Sequence, residues 1–332
     1  MFDFKARIRK LQKEMTVDCV VLAQFNHPEA NALYYSGIEE PILVYVTKDT
    51  SVAFAKGEGN IGHFDELLPF KDAKGFYKSF FRKNKVKTVG LDFSSEANRV
   101  GFKLLEKPEK VRVLNYSDKL SELRAVKSKE ELRFLRKAQD ITKKCVAQAE
   151  RNGFQGKTEN ELAGFLEFSS RKMGVALDSF PPIVATGVKT ATPHSSPSND
   201  VVKDLVLIDC GATAAHYHGD FTTTEYWGSD KQIKDAIEAV WEAKKASEKN
   251  AKVGVKGKVL SDISQKVIEE YGFGEYSFRK AGLALGHSVG LEVHDGFRLE
   301  QVTLKKRMAF TIEPGIYLPK KFGVRFEDIV FL

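Results

Sequence analysis

Short apolar runs separated by turn residues predict a small α/β unit in the first part of the chain, residues 1–120. The predicted strands are Cys19–Ala23, Ile42–Val46, Ser51–Ala55 and Val86–Phe93, and the predicted helices are Pro28–Tyr35 and Val100–Leu105. This stretch has neither a nucleotide-binding fingerprint nor a metal-ligating pair of residues. We therefore expect a scaffold or a subunit contact here rather than chemistry.

A polar, charge-rich stretch, Ser117–Lys127, is predicted to connect this unit to a second domain, residues 121–332. Helical periodicity begins directly after it. Ser128 with Glu131, and Thr158 with Glu161, have the spacing of a capping box, which predicts two helix starts. A strand at Phe180–Ala185, a loop to Asn199 and an acidic hairpin follow.

The same order of elements then occurs a second time. Ser229 with Gln232 predicts the start of another long helix, and Val259–Tyr271 predicts a shorter one. A glycine-rich segment, 282–296, and a second acidic hairpin complete the series. We therefore expect two similar halves that face each other across a shared cleft.

The first hairpin, Leu205–Tyr226, has one aspartate on each predicted arm, Asp209 and Asp220, eleven positions apart. Apolar residues precede Asp209, and glycines between the arms allow a turn. An antiparallel hairpin can bring both carboxylates to one face. Two carboxylates at close range repel each other unless a positive charge lies between them, and a metal cation is the obvious candidate.

The second hairpin carries Glu313 in Met308–Tyr317 and Glu327 in Gly323–Leu332. An acidic residue in a strand commonly faces solvent, and that interpretation remains open for each of these residues alone. Both glutamates, however, lie inside apolar runs. Four such acids on two hairpins favour a shared metal site.

Composition and charge limit the classes of function. The chain has 332 residues, of which 42% are apolar and 29% charged, as in a globular protein with a sizeable core. Its net charge of +7 is dispersed along the sequence, so it does not indicate nucleic-acid binding. Three scattered cysteines and the absence of a secretory or membrane-spanning run lead us to expect a cytoplasmic protein.

Three of the seven histidines lie in loops beside the acidic hairpins, namely His194, His287 and His294. A single histidine is more often a surface or hydrogen-bonded residue than a ligand, but this clustering favours a site. Four carboxylates with an imidazole suit Mn²⁺ or Co²⁺, with Fe²⁺ or Zn²⁺ as alternatives. Two such ions roughly 3.5 Å apart activate water and polarise a carbonyl, which predicts an amide hydrolase.

Six stretches of the sequence resemble motifs of the pita-bread (creatinase-like) metallopeptidases, and most closely those of the Xaa-Pro dipeptidases, or prolidases. The stretches are L-R-A-V-K-S-K-E-E-L at 123–132, T-G-V-K-T-A-T-P-H at 186–194, D-C-G-A…H-G-D-F-T-T at 209–223, G-H-S-V-G-L-E-V-H-D at 286–295, T-I-E-P-G-I-Y at 311–317 and V-R-F-E-D at 324–328. The resemblance implies an α+β fold: a C-terminal pita-bread domain with a pseudo-twofold repeat, after a small creatinase-like N-terminal α/β domain.

The resemblance also implies roles for individual residues. Its metal ligands are Asp209, Asp220, His287, Glu313 and Glu327, all present here. It implies that Glu313 is also the general base, that His294 stabilises the oxyanion, and that His194 assists proton movement or holds the leaving group. Arg298 is expected to bind the free carboxylate of a dipeptide, although an ordinary surface arginine is the alternative.

The expected function is that of a dinuclear metal-dependent exopeptidase that cleaves Xaa-Pro bonds in dipeptides and forms a homodimer. One alternative is an aminopeptidase P acting on longer peptides, and another is a non-catalytic binding module on the same fold. Family members commonly have Gly at Ser288, Glu at Asp295 and an Arg-Thr pair at Thr223-Thr224. These departures leave every ligand in place but put specificity and turnover in question.

Overall fold

The computed structural model describes residues 2–56, 62–95 and 111–332. The chain divides into two compact units, Met1–Leu123 and Arg124–Leu332. Helices and β-sheets occur in both units, so the predicted α+β class is confirmed. Among the described residues, no helix combines the length and the apolar character that a membrane span requires.

The first unit contains a six-stranded sheet in the order β4-β3-β2-β1-β5-β6. The central strand β1 is antiparallel to β2 and parallel to β5. Its strands are β1 (Cys19–Gln24), β2 (Ile42–Thr47), β3 (Ser51–Ala55), β4 (Glu66–Pro69), β5 (Thr88–Leu91) and β6 (Arg112–Asn115), and its helices are α1 (Phe4–Glu14), α2 (Ala30–Ser36) and α3 (Phe76–Lys83).

The predicted elements of this unit are largely confirmed. Strands β1, β2, β3 and β5 lie where apolar runs were predicted. The helix predicted at Pro28–Tyr35 begins two residues later, at Ala30, after an extended Glu29. The helix predicted at Val100–Leu105 lies outside the described residues.

The stretch Ser117–Lys127 was wrongly predicted to be a polar connection. It contains helix α4 (Ser117–Ala125), on which Leu120 and Leu123 are buried. The polar side is stabilised locally, because Lys119 Nζ lies 3.0 Å from Glu122 Oε2, one turn away. A high content of charged residues thus concealed a helix on which two leucines are buried.

Both predicted capping boxes of the second unit are confirmed. Helix α5 (Lys129–Arg151) follows Ser128, and helix α6 (Glu159–Lys172) follows Thr158. In α5, the Glu131 N–H donates to Ser128 Oγ (3.2 Å) and the Ser128 N–H donates to Glu131 Oε2 (2.8 Å). These bonds satisfy amides that the first helical turn leaves free, which fixes where each helix begins.

The second pair of helices comprises α7 (Lys231–Asn250) and α8 (Gly257–Glu270). The prediction of Ser229 as the cap of α7 is wrong. Asp230 is the N-cap residue, and its Oδ1 accepts the N–H of Gln232 at 2.7 Å. Serine and aspartate are both favourable N-cap residues, and the negative charge of Asp230 also interacts favourably with the helix dipole.

The strands of the second unit form antiparallel pairs. In the first half they are β7 (Ile183–Thr186), β8 (Leu205–Cys210), β9 (Thr213–Ala214), β10 (Tyr217–His218) and β11 (Phe221–Tyr226). In the second half they are β12 (Ala309–Ile312), β13 (Gly315–Leu318), β14 (Phe322–Arg325) and β15 (Asp328–Phe331). Helix, helix and acidic hairpin therefore occur in the same order twice, as predicted.

Both acidic hairpins are confirmed, with interruptions that matter for the site. Strands β8 and β11 pair directly, and the small ribbon β9–β10 lies in the connection between them. The second hairpin pairs β12 with β15 and β13 with β14, and Glu313 and Glu327 occupy the breaks between these ladders. Pro314 has no N–H to donate, which is consistent with a break beside Glu313.

The capping of α7 gives a direct test of the local assignment. We expect Asp230→Ala to lower the free energy of unfolding by about 1 kcal/mol, because the Gln232 amide loses its acceptor. Ser229→Ala, the matched control, changes it by less than about 0.5 kcal/mol. Urea denaturation of both variants measures the difference, and equal destabilisation would contradict the assignment.

Candidate metal centre

The two aspartates of the first half are held at adjacent strand ends. Asp209 lies on β8, which is buried along its whole length, and is paired with Thr222 of β11. Asp220 immediately precedes β11. Gln139 of α5 holds its backbone by accepting the Asp220 N–H (2.8 Å) and donating to the Asp220 carbonyl (2.7 Å). The hairpin and α5 together therefore fix the position of both carboxylates.

The two glutamates of the second half are each oriented by a threonine. Thr311 Oγ1 donates to Glu313 Oε1 at 3.1 Å, and Thr222 Oγ1 donates to Glu327 Oε2 at 2.7 Å. The Glu327 N–H also donates to the Thr222 carbonyl at 3.0 Å. Because Glu327 lies at a ladder break, its amide is free to bond across to the first half of the unit.

His287 lies between an aspartate of one half and a glutamate of the other. Its Nε2 is 3.5 Å from Asp220 Oδ2 and 3.3 Å from Glu313 Oε1. The His287 backbone is locked onto β12, because it exchanges hydrogen bonds with Thr311. Gly286 permits this approach, since a Cβ there would lie 2.0 Å from the Thr311 carbonyl oxygen.

The donor set fits divalent cations. One ligand atom from each of Asp220, His287 and Glu327 lies within 4.8 Å of the others, which is close enough for a single ion. Within the described part of the chain, the buried atoms Asp209 Oδ1 and Glu327 Oε1 accept no hydrogen bond. Buried carboxylate oxygens without a partner are costly, and a cation is a physically sufficient partner.

The electrostatics of the cluster support the same conclusion. Burial, together with repulsion from neighbouring carboxylates, raises the pKa values of Asp209, Asp220 and Glu327 above their usual range. Burial would also raise the pKa of Glu313, but the hydrogen bond and positive charge of His287 outweigh it and lower the value. The cluster therefore binds protons in the absence of cations, and cations displace them.

Sequence reasoning missed Arg325, the buried guanidinium of the site. Its Nη2 donates to Asp209 Oδ2 at 2.6 Å, and its Nη1 donates to the Tyr317 hydroxyl (3.0 Å) and to the Pro193 carbonyl (3.2 Å). A charged residue in the middle of the apolar run G-V-R-F was the available signal. Gln139 gave no such signal, because it lies 81 positions from Asp220.

The remaining predicted residues gather beside the cluster. The rings of His287 and His294 lie 4.1 Å apart between centroids. Burial lowers the pKa of His294, as do the nearby charges of His287, His194 and Arg298. His194, His294 and Arg298 are all exposed, whereas the carboxylates are mostly buried. The structure thus brings the predicted residues together, with the ligand candidates deepest.

The departures from the family pattern lie outside the ligand set. Ser288 is fully buried, and its Oγ has no hydrogen-bond partner among the described residues. Asp295 is fully buried and ion-paired with Arg124 and Lys127. Thr223 Oγ1 lies 3.4 Å from Glu225 Oε1. None of these side chains replaces a ligand candidate.

Comparison with known proteins identifies the family. The model of metallopeptidase family M24 matches residues 133–332, more than half of the chain. The chain belongs to metallopeptidase family M24. The family match includes all five ligand candidates, and the chain is thus a metal-dependent peptidase, which confirms the predicted enzyme class and the resemblance stated above.

Individual relatives extend the similarity to nearly the full length. The Xaa-Pro dipeptidase of Pyrococcus furiosus is 34% identical over 99% of this chain and 95% of its own. The solved prolidase of Pyrococcus horikoshii OT3 superposes with a TM-score of 0.86 at 32% identity, covering 99% of this chain and 95% of that one. An X-Pro aminopeptidase from Thermotoga maritima gives a TM-score of 0.83 at 28% identity, covering 97% and 95%. The predicted pita-bread fold is confirmed.

Cation binding should be measurable without any substrate. At pH 7 and a hundredfold excess over Kd, we expect Mn²⁺ or Co²⁺ to stabilise the M24 fold by about 2.7 kcal/mol. Binding should release protons, because the raised pKa values leave the metal-free carboxyls partly protonated.

For the same reason the metal-free protein should lose stability as pH rises above about 4, where only its unfolded state has given up these protons.

Calorimetry in two buffers of different ionisation enthalpy measures the proton release, and thermal unfolding measures the stabilisation. Asp220→Asn should weaken both effects strongly. Asp140→Asn is the control, because Asp140 is an exposed aspartate of α5 paired with Lys144. Equal responses of the two variants would contradict the assignment of Asp220 as a ligand.

Proposed function

We propose that this chain is a dinuclear metal-dependent exopeptidase that hydrolyses Xaa-Pro bonds, with dipeptides as substrates. The observation that carries the proposal is the grouping of Asp220, His287 and Glu327 within reach of a single ion, beside buried oxygens of Asp209 and Glu327 that accept no hydrogen bond from any described residue. Asp209, Asp220, His287, Glu313 and Glu327 are the proposed ligands. Similarity to curated Xaa-Pro dipeptidases supports the substrate class.

Bound divalent cations supply Lewis acidity and make water more acidic near neutral pH. Glu313 is proposed as the general base, because Thr311 Oγ1 orients its carboxylate beside His287 Nε2 (3.3 Å), where it can accept a proton from the attacking water. His294, next to His287 and exposed to the cleft, is proposed to donate a hydrogen bond to the scissile carbonyl oxygen as it gains charge.

His194 is proposed to act on the other product. The leaving nitrogen of an Xaa-Pro bond is a tertiary amide that becomes a secondary amine, so it must gain a proton as the bond breaks. Arg325 donates to the carbonyl of Pro193, directly before His194, and to Asp209. The bond from Arg325 to the Pro193 carbonyl supports the placement of the His194 imidazole beside the proposed ligands. There the imidazole can hold the proline residue or deliver the proton.

Arg298 is proposed to select substrates with a free carboxylate directly after the scissile bond. Its backbone pairs with that of His287, and its side chain is exposed at the cleft. A guanidinium binds a carboxylate through two parallel hydrogen bonds, so a dipeptide would satisfy it and a longer peptide would present an amide there instead. This arrangement favours a dipeptidase.

We also propose the metal, the domain boundaries, the cellular compartment and the assembly of this peptidase. Mn²⁺ or Co²⁺ is the preferred metal for this oxygen-rich set, with Fe²⁺ or Zn²⁺ as alternatives. Residues 1–120 would be the creatinase-like N-terminal domain, and 121–332 the catalytic domain. The three cysteines are free and buried, which fits a reducing cytoplasm. A homodimer is the proposed assembly.

Two alternatives remain distinguishable. The similarity to an X-Pro aminopeptidase favours peptides longer than two residues, and comparing Ala-Pro with Ala-Pro-Ala as substrates separates these specificities. A non-catalytic binding module would bind metal without hydrolysis. The retention of every proposed ligand argues against that module, because a binding function does not need an activating metal pair.

The primary prediction concerns turnover. The Mn²⁺- or Co²⁺-loaded protein should hydrolyse Ala-Pro and Met-Pro faster than Ala-Pro-Ala, and a chelator should abolish the reaction. Glu313→Gln should lower kcat by about 10²-fold or more, because the base is lost. Release of proline measures the rate. A fully loaded protein that leaves all three peptides intact would establish the binding module instead.

The role of Arg298 gives a second prediction. Arg298→Ala should raise KM for Ala-Pro roughly tenfold or more, while KM for Ala-Pro-amide, which lacks the carboxylate, stays nearly unchanged. Arg133→Ala is the control, because Arg133 is an exposed arginine of α5 paired with Glu130. Equal effects on both substrates would remove the carboxylate role from Arg298.

A further inference from the structure

The segment 123–128, L-R-A-V-K-S, contains two basic residues that the proposed chemistry leaves without a task. Both are buried: Arg124 and Lys127 are each 1% exposed. Buried basic residues are rare in proteins unless they are paired, because removing a charge from water is costly. Their partner is Asp295, the residue that follows His294.

The three side chains form a closed ion cluster. Arg124 donates to Asp295 Oδ1 from Nε (3.0 Å) and from Nη2 (2.6 Å), and Lys127 Nζ donates to Asp295 Oδ2 at 2.7 Å. Arg124 Nη2 also lies 2.8 Å from Glu292 Oε2 at the exposed edge. Both oxygens of Asp295 are therefore fixed, so its side chain has one well-defined orientation.

The ion cluster is tightly packed against the backbone of Gly290. A Cβ at position 290 would lie 1.8 Å from Asp295 Oδ2 and 2.8 Å from Lys127 Nζ, which explains the glycine there. Burial would raise the pKa of Asp295, but the charges of Arg124 and Lys127 outweigh it and lower the value to about 2. The two cations therefore favour the ionised form of Asp295.

The cluster is directly connected to the loop that carries the two histidines. The Asp295 N–H donates to the Ser288 carbonyl at 2.8 Å, and the Ser288 N–H donates to the Phe297 carbonyl at 2.9 Å. His287 and His294 are the neighbours of Ser288 and Asp295 in sequence, and their rings lie 4.1 Å apart. A displacement of Asp295 would thus move His294 relative to His287.

We propose that Arg124 and Lys127 are positioning residues, which act through Asp295 to hold the His294 imidazole against the reacting carbonyl. The proposal rests on the function proposed above, because it needs His294 to contact the substrate. An exposed histidine on a loop is mobile unless its backbone is fixed, and this cluster fixes the adjacent residue from the buried side.

The test is a double-mutant cycle between Lys127 and His294. Lys127→Met leaves Asp295 paired with Arg124, so no carboxylate is buried without a cation. We expect it to lower kcat for Ala-Pro roughly tenfold to a hundredfold, because a small misplacement of a catalytic group has an effect of that size. In a His294→Ala background, Lys127→Met should lower kcat by less than about twofold, because the group it positions is gone.

The matched control is Lys244→Met, since Lys244 is a similarly buried lysine of α7 paired with Glu248. It should change the thermal unfolding temperature as Lys127→Met does, with kcat unaltered. Bound metal per chain should be equal in all variants. Imidazole NMR of the folded protein should show the His294 signals shifted or broadened by Lys127→Met and unchanged by Lys244→Met.

The outcomes separate this proposal from the proposed function. If the wild type is inactive, or His294→Ala has no effect, the proposed function itself fails. If His294→Ala lowers kcat but Lys127→Met either has no effect or lowers kcat equally in both backgrounds, the positioning role is overturned. Should Lys127→Met fail to fold, Arg124→Gln enters the same cycle, because Lys127 then still pairs with Asp295.

Discussion

Repulsion among four carboxylates in one largely buried cleft is the constraint on which the rest of the catalytic unit depends. Asp209, Asp220 and Glu327 are less than one-tenth exposed, and Arg325 is the buried cation bonded to Asp209. One guanidinium cannot balance four negative charges. Burial, followed by repulsion from the neighbouring carboxylates, raises the pKa values of Asp209, Asp220 and Glu327. Protons or divalent cations are therefore needed to balance the charge of the cleft.

The backbone is arranged to tolerate this concentration of charge. Glu313 and Glu327 lie at breaks between strand ladders rather than within them, so their backbone groups are free to bond elsewhere. The Glu327 amide uses this freedom to bond to the Thr222 carbonyl, and Thr222 Oγ1 orients the Glu327 carboxylate. Two short bonds thereby couple the acidic hairpins of the two halves.

Local signals in the sequence were sufficient for many of the helices and strands and for the candidate carboxylates. Capping boxes such as Ser128 with Glu131 depend on residues three positions apart, and acids inside apolar runs stand out without knowledge of the fold. The helix at Ser117–Ala125 was missed because its charged residues concealed the buried Leu120 and Leu123. Arg325 and Gln139 were missed because their partners, Asp209 and Asp220, lie 116 and 81 positions away, and only the folded chain brings them together.

Two aspartates of this unit show how the environment assigns opposite roles to one residue type. Asp220 and Asp295 are 4% and 1% exposed, so burial penalises both carboxylates to a similar degree. Asp220 faces other carboxylates, and its pKa is raised; Asp295 faces Arg124 and Lys127, and its pKa falls to about 2. A carboxylate with permanent protein cations has no need of a metal and is suited to hold a loop in place. A carboxylate that faces an excess of other carboxylates is suited to bind an exchangeable cation, and the chain separates these two tasks between two buried aspartates.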